Sequence, residues 1–290
     1  MLSTSYSRKG LSLLLQAKRS ENFNFLSARS SVGTPLHINH LPAFTANHTY
    51  TLAALYPYAT QPDGEWAFQG DFRYTIPRGS LLGGKYGTGI RINYAHVRGL
   101  KNVGTDRLPL DAPEKDLYGT DGYSHPFFGM GQLYYSDLNV ELSKKFSRTV
   151  SITFNYYNQI YNQQVVEGHA INNPLVYSNI FVLDGKFKLA PNYTLRTELQ
   201  YLNSRQAEGS WLFGLAELSI APKWMISLSD QYNMTVTKQH YYMGTVAYSA
   251  GNHRVQLGYG RTRAGINCSG GVCRYMPETK GIYLTYNGTF

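Results

Sequence analysis

The amino-acid sequence predicts an all-β fold, an antiparallel up-and-down transmembrane β-barrel. Apolar and polar residues alternate along many stretches of the chain, short and long connections alternate between these stretches, and the last stretch ends on an aromatic residue. In Gly281–Phe290 the alternation places Ile282, Leu284, Tyr286 and Phe290 on one face, because successive side chains of a strand point to opposite sides. One face of this strand suits lipid and the other suits water.

The composition agrees with a membrane protein that has no transmembrane helix. The chain has 290 residues, of which 16% are charged and 25 are Tyr, and a net charge of +9. Tyr suits an interface because one end of its ring is apolar and the other end is polar. The longest apolar runs, such as Leu13–Leu15 and Leu52–Leu55, are far shorter than the roughly 20 residues of a membrane-spanning helix. Residues 1–290 are therefore expected to form one closed barrel domain.

The strands are predicted from alternation with a period of two residues. The clearest is Glu65–Ile76, in which Trp66, Phe68 and Phe72 alternate with polar residues. Strand lengths of roughly 9–12 residues suit a tilted crossing of a bilayer. The predicted strands are Gly10–Arg19, Tyr50–Tyr58, Glu65–Ile76, Tyr86–Val97, Gln132–Ser143, Thr149–Ile160, Tyr177–Leu189, Tyr193–Asn203, Trp211–Ile220, Trp224–Val236, Tyr241–Ala250, His253–Arg263 and Tyr275–Phe290.

The connections alternate between short turns and longer loops in the second half of the chain. Barrels of this type have short periplasmic turns and longer external loops, and placing Phe290 in the periplasm puts every short turn on that side. In the first half, the same alternation of direction requires one further strand, for which Val32–His40 is the candidate. Residues 1–6 are interpreted as the stub of another strand, and the total is about 14 strands.

Outward aromatic residues eight positions apart support the two aromatic girdles of a membrane barrel. Eight strand residues with a tilt cover about 20 Å of depth. The pairs are Trp66/Tyr74, Tyr86/Tyr94, Tyr193/Tyr201 and Trp224/Tyr232. Asp230 breaks the pattern because it is turned outward, and either a bulge or a position above the lipid would explain it. A soluble β-sandwich or β-helix with scattered Tyr is the alternative.

The two ends of the chain lead to different expectations. The aromatic carboxy-terminus, with Ile282, Leu284 and Tyr286 before Phe290, resembles the terminal strand that the barrel-assembly machinery recognises in bacterial outer-membrane barrels. Residues 1–10 do not have the pattern of a secretory signal. We therefore expect the sequence to be the carboxy-terminal portion of a longer chain, or a mature fragment, in the outer membrane.

The inward positions of the predicted strands carry nearly balanced charges, which favours ion pairs across a wet lumen rather than strong ion selectivity. Opposite charges two residues apart, at Asp71/Arg73, Asp184/Lys186 and Arg196/Glu198, are candidates for such pairs. Stiffening of the barrel wall is the alternative role. The full set is Asp71, Arg73, Arg91, Asp137, Glu141, Asp184, Lys186, Lys188, Arg196, Glu198 and Arg254.

Cys268 and Cys273 enclose two glycines and are expected to form a disulfide, as suits an oxidising compartment, with two free thiols as the alternative. No metal or cofactor site is expected, because no second Cys/His pair has zinc-ligand spacing. Near the cysteines, Arg261, Arg263 and Arg274 form a basic cluster that either contacts lipid phosphates or a polyanion, or is only solvated. No nucleic-acid-binding module is visible, so nucleic acid is not an expected partner.

Three short motifs partly resemble phosphate-binding, metal-binding or catalytic sites. Gly79–Lys85 fits most of a phosphate-binding loop, but Tyr86 stands where Ser or Thr is needed and a strand follows, so a glycine-rich turn is predicted. The spacing of His37 and His40 would suit two metal ligands, but carboxylates are absent nearby, so hydrogen-bonding loop residues are the preferred interpretation. Ser124-His125, with Asp121 nearby, lacks the motif of a hydrolase, so no catalytic residues are predicted.

Three segments of the sequence also resemble a family of Bacteroidota outer-membrane barrels of unknown function. They are Leu36–Thr45, the pair of runs Tyr56–Gln61 and Gly64–Asp71, and the terminal part from Gly265 to Gly281. The resemblance implies the outer membrane and a barrel fold, and supplies no catalytic residues. Members of the family look longer than this chain, with an export signal and additional amino-terminal strands.

Two functions remain open from the sequence. The first is a passive pore or transporter for small solutes. The second is a structural, assembly or surface-interaction barrel that acts on other envelope proteins through its long loops. An outer-membrane enzyme is a distant third.

Overall fold

Thirteen strands form one antiparallel sheet in which each strand pairs with its neighbours in the chain. The computed structural model describes residues 1–21, 41–61, 64–101, 126–168, 170–269 and 272–289, and side chains are described outside residues 266–275. The strands of this sheet are β1 (Leu2–Arg8), β2 (Leu11–Glu21), β3 (Gly64–Ile76), β4 (Thr88–Leu100), β5 (Met130–Lys145), β6 (Val150–Asn162), β7 (Leu175–Ala190), β8 (Tyr193–Asn203), β9 (Trp211–Ile220), β10 (Trp224–Asn233), β11 (His240–Ala250), β12 (His253–Thr262) and β15 (Thr279–Gly288).

Two small elements lie in the connections. The strands β13 (Gly265–Ser269) and β14 (Val272–Met276) form a hairpin between β12 and β15. A single turn of helix, α1 (Gln163–Glu167), follows β6, and the Asn162 side chain accepts a hydrogen bond from the Val165 N–H at its start. Within the described ranges, no helix is both long and apolar enough to cross a membrane.

The two faces of the sheet differ as the alternation predicts. In β3, Glu65 and Ala67 are completely buried on one face, which we call the inner face, while Tyr74 is exposed on the other, the outer face. Because paired residues of adjacent strands point to the same side, the register carries this assignment from strand to strand. Large apolar side chains are exposed along the outer face, including Leu15, Ile92, Leu142, Phe154, Leu183, Leu199, Leu228, Val246, Leu257 and Leu284.

The connections sort onto two ends of the sheet. The turns after β1, β5, β7, β9 and β11 are short, and together with residues 77–87 after β3 they form the short-turn end. The connections after β2, β4, β6, β8, β10 and β12 form the long-loop end, which includes the β13–β14 hairpin. The predicted alternation of short and long connections in the second half of the chain is confirmed.

The edge strands of the sheet are β1 and β15. In the described pairings, each contacts a neighbouring strand on one side only. Both strands run toward the short-turn end, because the sheet has an odd number of strands in antiparallel order. A direct contact between them would be parallel, and an antiparallel closure requires an odd number of further strands.

The predicted total of about 14 strands is close to the 13 of the described sheet, but one strand assignment in the first half is wrong. Tyr50–Tyr58 is not a strand: the Ala54 N–H donates to the Tyr50 carbonyl and the Leu55 N–H to the Leu52 carbonyl, which are helical-type turns. The further strand predicted from the alternation of direction is not needed, because β2 pairs directly with β3 in antiparallel orientation. The candidate Val32–His40 lies outside the described residues.

The ends of the chain compare with the prediction as follows. Residues 2–6 lie in a strand, β1, which pairs with β2 from Leu2 to Arg8, and that this strand is a stub stays a prediction. The predicted strand Tyr275–Phe290 begins too early, because Tyr275 belongs to β14 and β15 starts at Thr279. The physical reason is the hairpin, whose backbone pairing continues through Met276 and separates it from the last strand.

We predict that Leu52→Ala lowers the free energy of unfolding by about 2–5 kcal/mol, because Leu52 is completely buried and its truncation leaves a cavity. Thermal unfolding in detergent, followed by circular dichroism, measures the effect. The matched variant Leu81→Ala removes a side chain that is 97% exposed, and its stability should stay within about 0.5 kcal/mol. Equal losses in the two variants would show that Leu52 is not a core residue.

Candidate functional site: the inserted segment and the inner face

Residues Leu41–Gln61, which we call the inserted segment, lie against the inner face of the sheet. Leu52 and Ala53 at its centre are completely buried, and Leu55 and Tyr56 are nearly so. The sheet therefore curves around the segment, and the apolar core of the molecule lies between them. The strand residues of this core are Ala67, Val97, Tyr135, Tyr157, Tyr161, Val176, Ile180, Val182, Leu202, Trp211, Phe213 and Tyr241.

A buried lysine on β2 holds both ends of the inserted segment. The Lys18 ammonium lies 2.9 Å from Glu65 Oε1 and donates to the Pro42 carbonyl at 2.9 Å and to Thr60 Oγ1 at 2.8 Å. The side chains of Lys18 and Glu65 are only 5% and 0% exposed. A buried charge is costly unless it is paired and hydrogen-bonded, and here the inserted segment supplies the remaining acceptors.

The partner of Lys18, Glu65 on β3, also binds the inserted segment. Its Oε2 accepts from the Tyr58 hydroxyl at 2.5 Å and from the Gln61 N–H at 3.0 Å. The Tyr58 ring stacks on Tyr135 of β5 with centroids 5.2 Å apart. Burial raises the pKa of the Tyr58 hydroxyl well above its usual value, with Glu65 as a further cause, so it remains a neutral donor.

A histidine and an aspartate join the middle of the segment to β5. His48 Nε2 lies 2.7 Å from Asp137 Oδ2, and Asp137 is completely buried. The imidazole also packs edge-on against Tyr157 of β6, at 4.9 Å between centroids. Asp137 was predicted as a lumen-facing charge, and it lies on the inner face with a partner that the sequence does not indicate.

Two glutamines hold the backbone at the centre of the segment. The Leu52 N–H donates to Gln200 Oε1 of β8 at 2.8 Å, and Gln159 Nε2 of β6 donates to the Ala53 carbonyl at 2.9 Å. A buried backbone group without a partner is costly, so these two amides replace the ladder bonds that a strand would have made. The segment is thus fixed from both sides.

The first charge cluster of the inner face adjoins the segment at Tyr50. Arg196 Nη2 lies 2.8 Å from Asp184 Oδ2 and also contacts Glu198. The Tyr50 hydroxyl donates to the same Asp184 oxygen at 3.4 Å. Burial raises the pKa of Tyr50, and Asp184 and Glu198 add to the increase. The predicted pair Arg196/Glu198 forms, whereas Asp184 pairs with Arg196 across the strands and not with Lys186.

The second charge cluster is centred on Asp71 of β3. Arg73 Nε and Arg91 Nη2 each lie 2.7 Å from its carboxylate, and Asn93 donates to it at 3.0 Å. The predicted pair Asp71/Arg73 therefore forms, with Arg91 as a second base. Two arginines around one buried carboxylate leave this cluster with a net positive charge.

The remaining predicted lumen residues lie on the inner face without an ion pair to any described residue. These are Glu141, Lys186, Lys188 and Arg254. Lys186 and Lys188 are exposed near the short-turn end. The ion pairs of the inner face thus lie in its middle, and Lys186 and Lys188, without ion pairs to described residues, lie toward the short-turn end. That the inner face lines a lumen stays a prediction.

The inserted segment covers only part of the inner face. Its contacts run from β2 to β9, with Tyr241 of β11 at the margin. On the rest of the inner face, Ser3 and Ser5 of β1 and Thr285 and Asn287 of β15 are exposed. In the described residues of β1 and β15 and of the adjoining β12, this uncovered wall has mainly small hydroxyl and amide side chains, together with Arg254, and no carboxylate.

The arginines at the long-loop end have carboxylate partners. Arg261 Nη2 lies 2.6 Å from Glu278, and Arg263 Nη1 lies 3.4 Å from Glu208. Burial raises the pKa of Glu208, although Arg263 opposes this. A free basic cluster is therefore not present at Arg261 and Arg263, and the side chain of Arg274 lies outside the described residues.

Asp230 remains on the outer face, as its position in the sequence requires. The pairing of β10 is regular on both sides, so the suggested bulge is wrong. The Asp230 carboxylate lies 2.6 Å from His240 Nδ1, close to the long-loop end, and both side chains are exposed. His240 also stacks on Tyr232 at 4.4 Å. A position at the margin of the outer face explains the charge.

Several predicted residues fall outside what the structure describes. The backbone of the hairpin places Cys268 opposite Cys273, and their disulfide stays a prediction because the side chains are not described. Phe290 and the motifs at residues 37–40 and 121–125 also lie outside the described residues. Among the described side chains, no group of three or more His, Cys, Asp or Glu is arranged to hold a metal ion.

Sequence reasoning missed the inserted segment and its anchors Lys18 and His48. One signal was available: Leu52, Ala53, Ala54 and Leu55 are consecutive apolar residues. A strand with one polar and one apolar face does not have such a run, and a segment that is buried on all sides does.

The comparison with protein families gives one assignment. A family model, described as a family of unknown function, matches residues 1–290. The chain belongs to DUF6029. No curated protein is significantly similar to it.

Two solved structures are similar to part of this DUF6029 chain. A KdgM porin in complex with disordered oligogalacturonate is 10% identical, with a TM-score of 0.30, and a KdgM porin is 9% identical, with a TM-score of 0.31. Each similarity covers 78% of this chain and 95% of the porin chain. Similarity this low carries no functional assignment to the DUF6029 chain, whose own residues are the basis for its function.

We predict that Glu65→Gln lowers the free energy of unfolding by about 3–5 kcal/mol, because it leaves the Lys18 charge buried without a counter-charge. Chemical denaturation in detergent measures the loss. The double variant Lys18→Met/Glu65→Met should recover only part of it, because it removes the unpaired charge but leaves the Tyr58 hydroxyl and the Gln61 N–H without their acceptor. Asp230→Asn, which breaks an exposed pair, should cost less than about 1 kcal/mol. A Glu65→Gln protein as stable as Asp230→Asn would contradict the anchor.

Proposed function

We propose that this chain forms an integral outer-membrane β-barrel that lets small polar solutes pass beside the inserted segment, without catalysis. The observation that supports it is the division of the inner face into a covered part and an uncovered wall with small polar side chains, including Ser3, Ser5, Thr285 and Asn287. A polar wall beside a fixed obstruction suits a narrowed water-filled path.

The outer face supports a membrane location. Leu199, Leu228 and Leu257 are each more than half exposed, and the other strands of the 13-stranded sheet from β2 onward also carry exposed apolar side chains on this face. Soluble monomers rarely expose contiguous apolar patches larger than a few hundred Å². In a bilayer the same residues are the required surface, because strands cross lipid only with their apolar side outward.

A membrane location also demands that the sheet close. The free edges of β1 and β15 would leave unpaired backbone groups in hydrocarbon, where each costs several kcal/mol (about 2–7). In this proposal the edges meet in a parallel contact or are joined by an odd number of further strands. Bacterial barrels usually have an even number of strands, which favours the second arrangement.

The proposed partners follow from the same surfaces. Membrane lipid contacts the outer face, and the barrel-assembly machinery recognises the last strand, in which Ile282, Leu284 and Tyr286 are exposed on the outer face ahead of Phe290. Other envelope proteins are partners only in the alternative function below.

The alternative is a structural or surface-interaction barrel without conductance. The observation that favours it is the firm attachment of the inserted segment, which contacts β2, β3, β5, β6, β7 and β8 through polar groups. A segment that is held on so many strands has the properties of a permanent core.

Single-channel recording in planar bilayers separates the two functions. We predict a small, steady conductance for the native chain and a severalfold larger one when Leu41–Gln61 is replaced by a Gly-Ser linker of the same length, because the linker leaves the lumen unobstructed. In the control, residues 263–278, which include the β13–β14 hairpin, are replaced in the same way, and conductance should stay at the native level. Silent native and linker proteins, both folded, would favour the structural barrel and contradict the pore.

We predict that Phe290→Gln reduces the amount of folded protein in the outer membrane severalfold, because the assembly signal loses its terminal aromatic residue. Immunoblotting of outer-membrane fractions, with and without heating in detergent, measures folded protein. The control Thr289→Gln changes the preceding residue, which lies outside the alternating set, and should be close to native. Native levels of the Phe290→Gln variant would remove the assembly signal from the proposal.

A further inference from the structure

Two of the most exposed apolar residues lie at the short-turn end rather than on a strand. Leu81 is 97% exposed and Leu82 is 65% exposed, both in the turn of residues 77–87 between β3 and β4. Adjacent leucines at the tip of a turn are unfavourable in water, so their exposure indicates a surface that they contact.

The turn holds these leucines in a fixed conformation. The Ser80 hydroxyl donates to the Pro77 carbonyl at 2.7 Å and accepts from the Gly83 N–H at 3.1 Å. A Cβ at residue 83 would lie 1.9 Å from the Pro77 oxygen, so only glycine fits this close approach. The glycines of the phosphate-loop-like motif therefore build a tight turn, and the predicted glycine-rich turn is confirmed.

The turn is fastened to the outer side of the sheet. The Leu82 carbonyl accepts from Thr88 Oγ1 at 2.7 Å and from Lys144 Nζ at 3.1 Å. Thr88 and Lys144 face each other in the register and lie on the same side as Ile92 and Leu142 of the outer face. The two leucines thus lie at the margin of the apolar outer surface.

The leucines are accompanied by basic residues and by no acidic ones, in the turn itself and on the neighbouring strands. Residues 72–92 and 142–166 contain no Asp or Glu. The basic-apolar patch consists of Leu81, Leu82 and Phe146 with Arg78, Lys85, Lys144 and Arg148. The ammonium of Lys144 lies 5.8 Å from the centre of the exposed Phe146 ring, and none of these four bases has an ion pair with a described residue.

We propose that the basic-apolar patch binds the headgroups of anionic phospholipid in the leaflet at the short-turn end, with Leu81 and Leu82 inserted among the acyl chains. This inference rests on the proposed membrane location. Leucines beside Lys and Arg form the usual arrangement of an interfacial anchor, in which apolar side chains enter the leaflet and cations meet phosphate.

The position of the patch favours lipid over an acidic protein. It continues the outer face through Thr88 and Lys144, so an occupant has to suit both the apolar strands and the bases. A single phospholipid molecule suits both, because its anionic phosphate can contact the bases while its acyl chains contact the leucines and the apolar strands. The wider short-turn end agrees, because its turns contain Lys9, Arg78, Lys85, Arg148 and Lys223 and no acidic residue.

Native mass spectrometry of the full chain, purified in micelles and titrated with phosphatidylglycerol or phosphatidylcholine, tests the proposal. We expect retention of phosphatidylglycerol over phosphatidylcholine, and a loss of that preference by about tenfold or more in the variant Arg78→Gln/Lys85→Gln/Arg148→Gln. Leu81→Ser/Leu82→Ser should weaken retention of both lipids, because it removes the apolar insertion.

The matched control removes the same charge from the long-loop end, in Arg205→Gln/Lys238→Gln/Lys280→Gln, and should keep the native lipid preference. Equal losses in both triple variants, or no preference in the native chain, would overturn the proposal. Stronger competition by poly-glutamate than by phosphatidylglycerol would overturn it in favour of an acidic protein. Lipid retention is measured independently of conductance. A chain that does not conduct ions can therefore still show the lipid preference, and a chain without the lipid preference can still conduct.

Discussion

The buried ion pair between Lys18 and Glu65 is the contact on which the position of the inserted segment depends. It joins β2 to β3 at the place where the chain leaves the sheet and returns to it. Both charges are completed by groups of the segment itself, namely Pro42, Thr60 and Tyr58. The pair and the segment therefore each supply partners to the other, and residues 41–61 of the connection after β2 lie inward over the sheet.

From this anchor the rest of the inner face follows. The segment carries an apolar core into a wall of polar side chains, and it supplies partners to some of the polar groups that it covers, such as His48 for Asp137 and the Leu52 N–H for Gln200. Asp184, beside Tyr50 of the segment, and Asp71 are neutralised by arginines of the wall. The described part of the uncovered wall has no such ion pair, and this contrast defines the proposed path for solutes.

The strands from β3 onward were predictable because their two faces meet different surroundings. Glu65–Ile76 was identified with its correct faces, since a period of two is visible without knowledge of any partner. Tyr50–Tyr58 was misread because its alternating tyrosines mimic a strand, while its burial depends on side chains more than 70 residues away, such as Gln159 and Gln200. His48 and Asp137 are 89 positions apart, and no local pattern connects them.

Cross-linking of His48 to Asp137 tests most directly whether the inserted segment lies inside the sheet. In a Cys268→Ser/Cys273→Ser background, His48→Cys/Asp137→Cys protein in outer membranes is treated with a short bifunctional thiol reagent and analysed by peptide mass spectrometry. We predict a link between positions 48 and 137, and none in the control His48→Cys/Thr285→Cys, which faces the uncovered wall. A link to position 285 instead, or no link to 137 with both thiols reactive, would contradict the account.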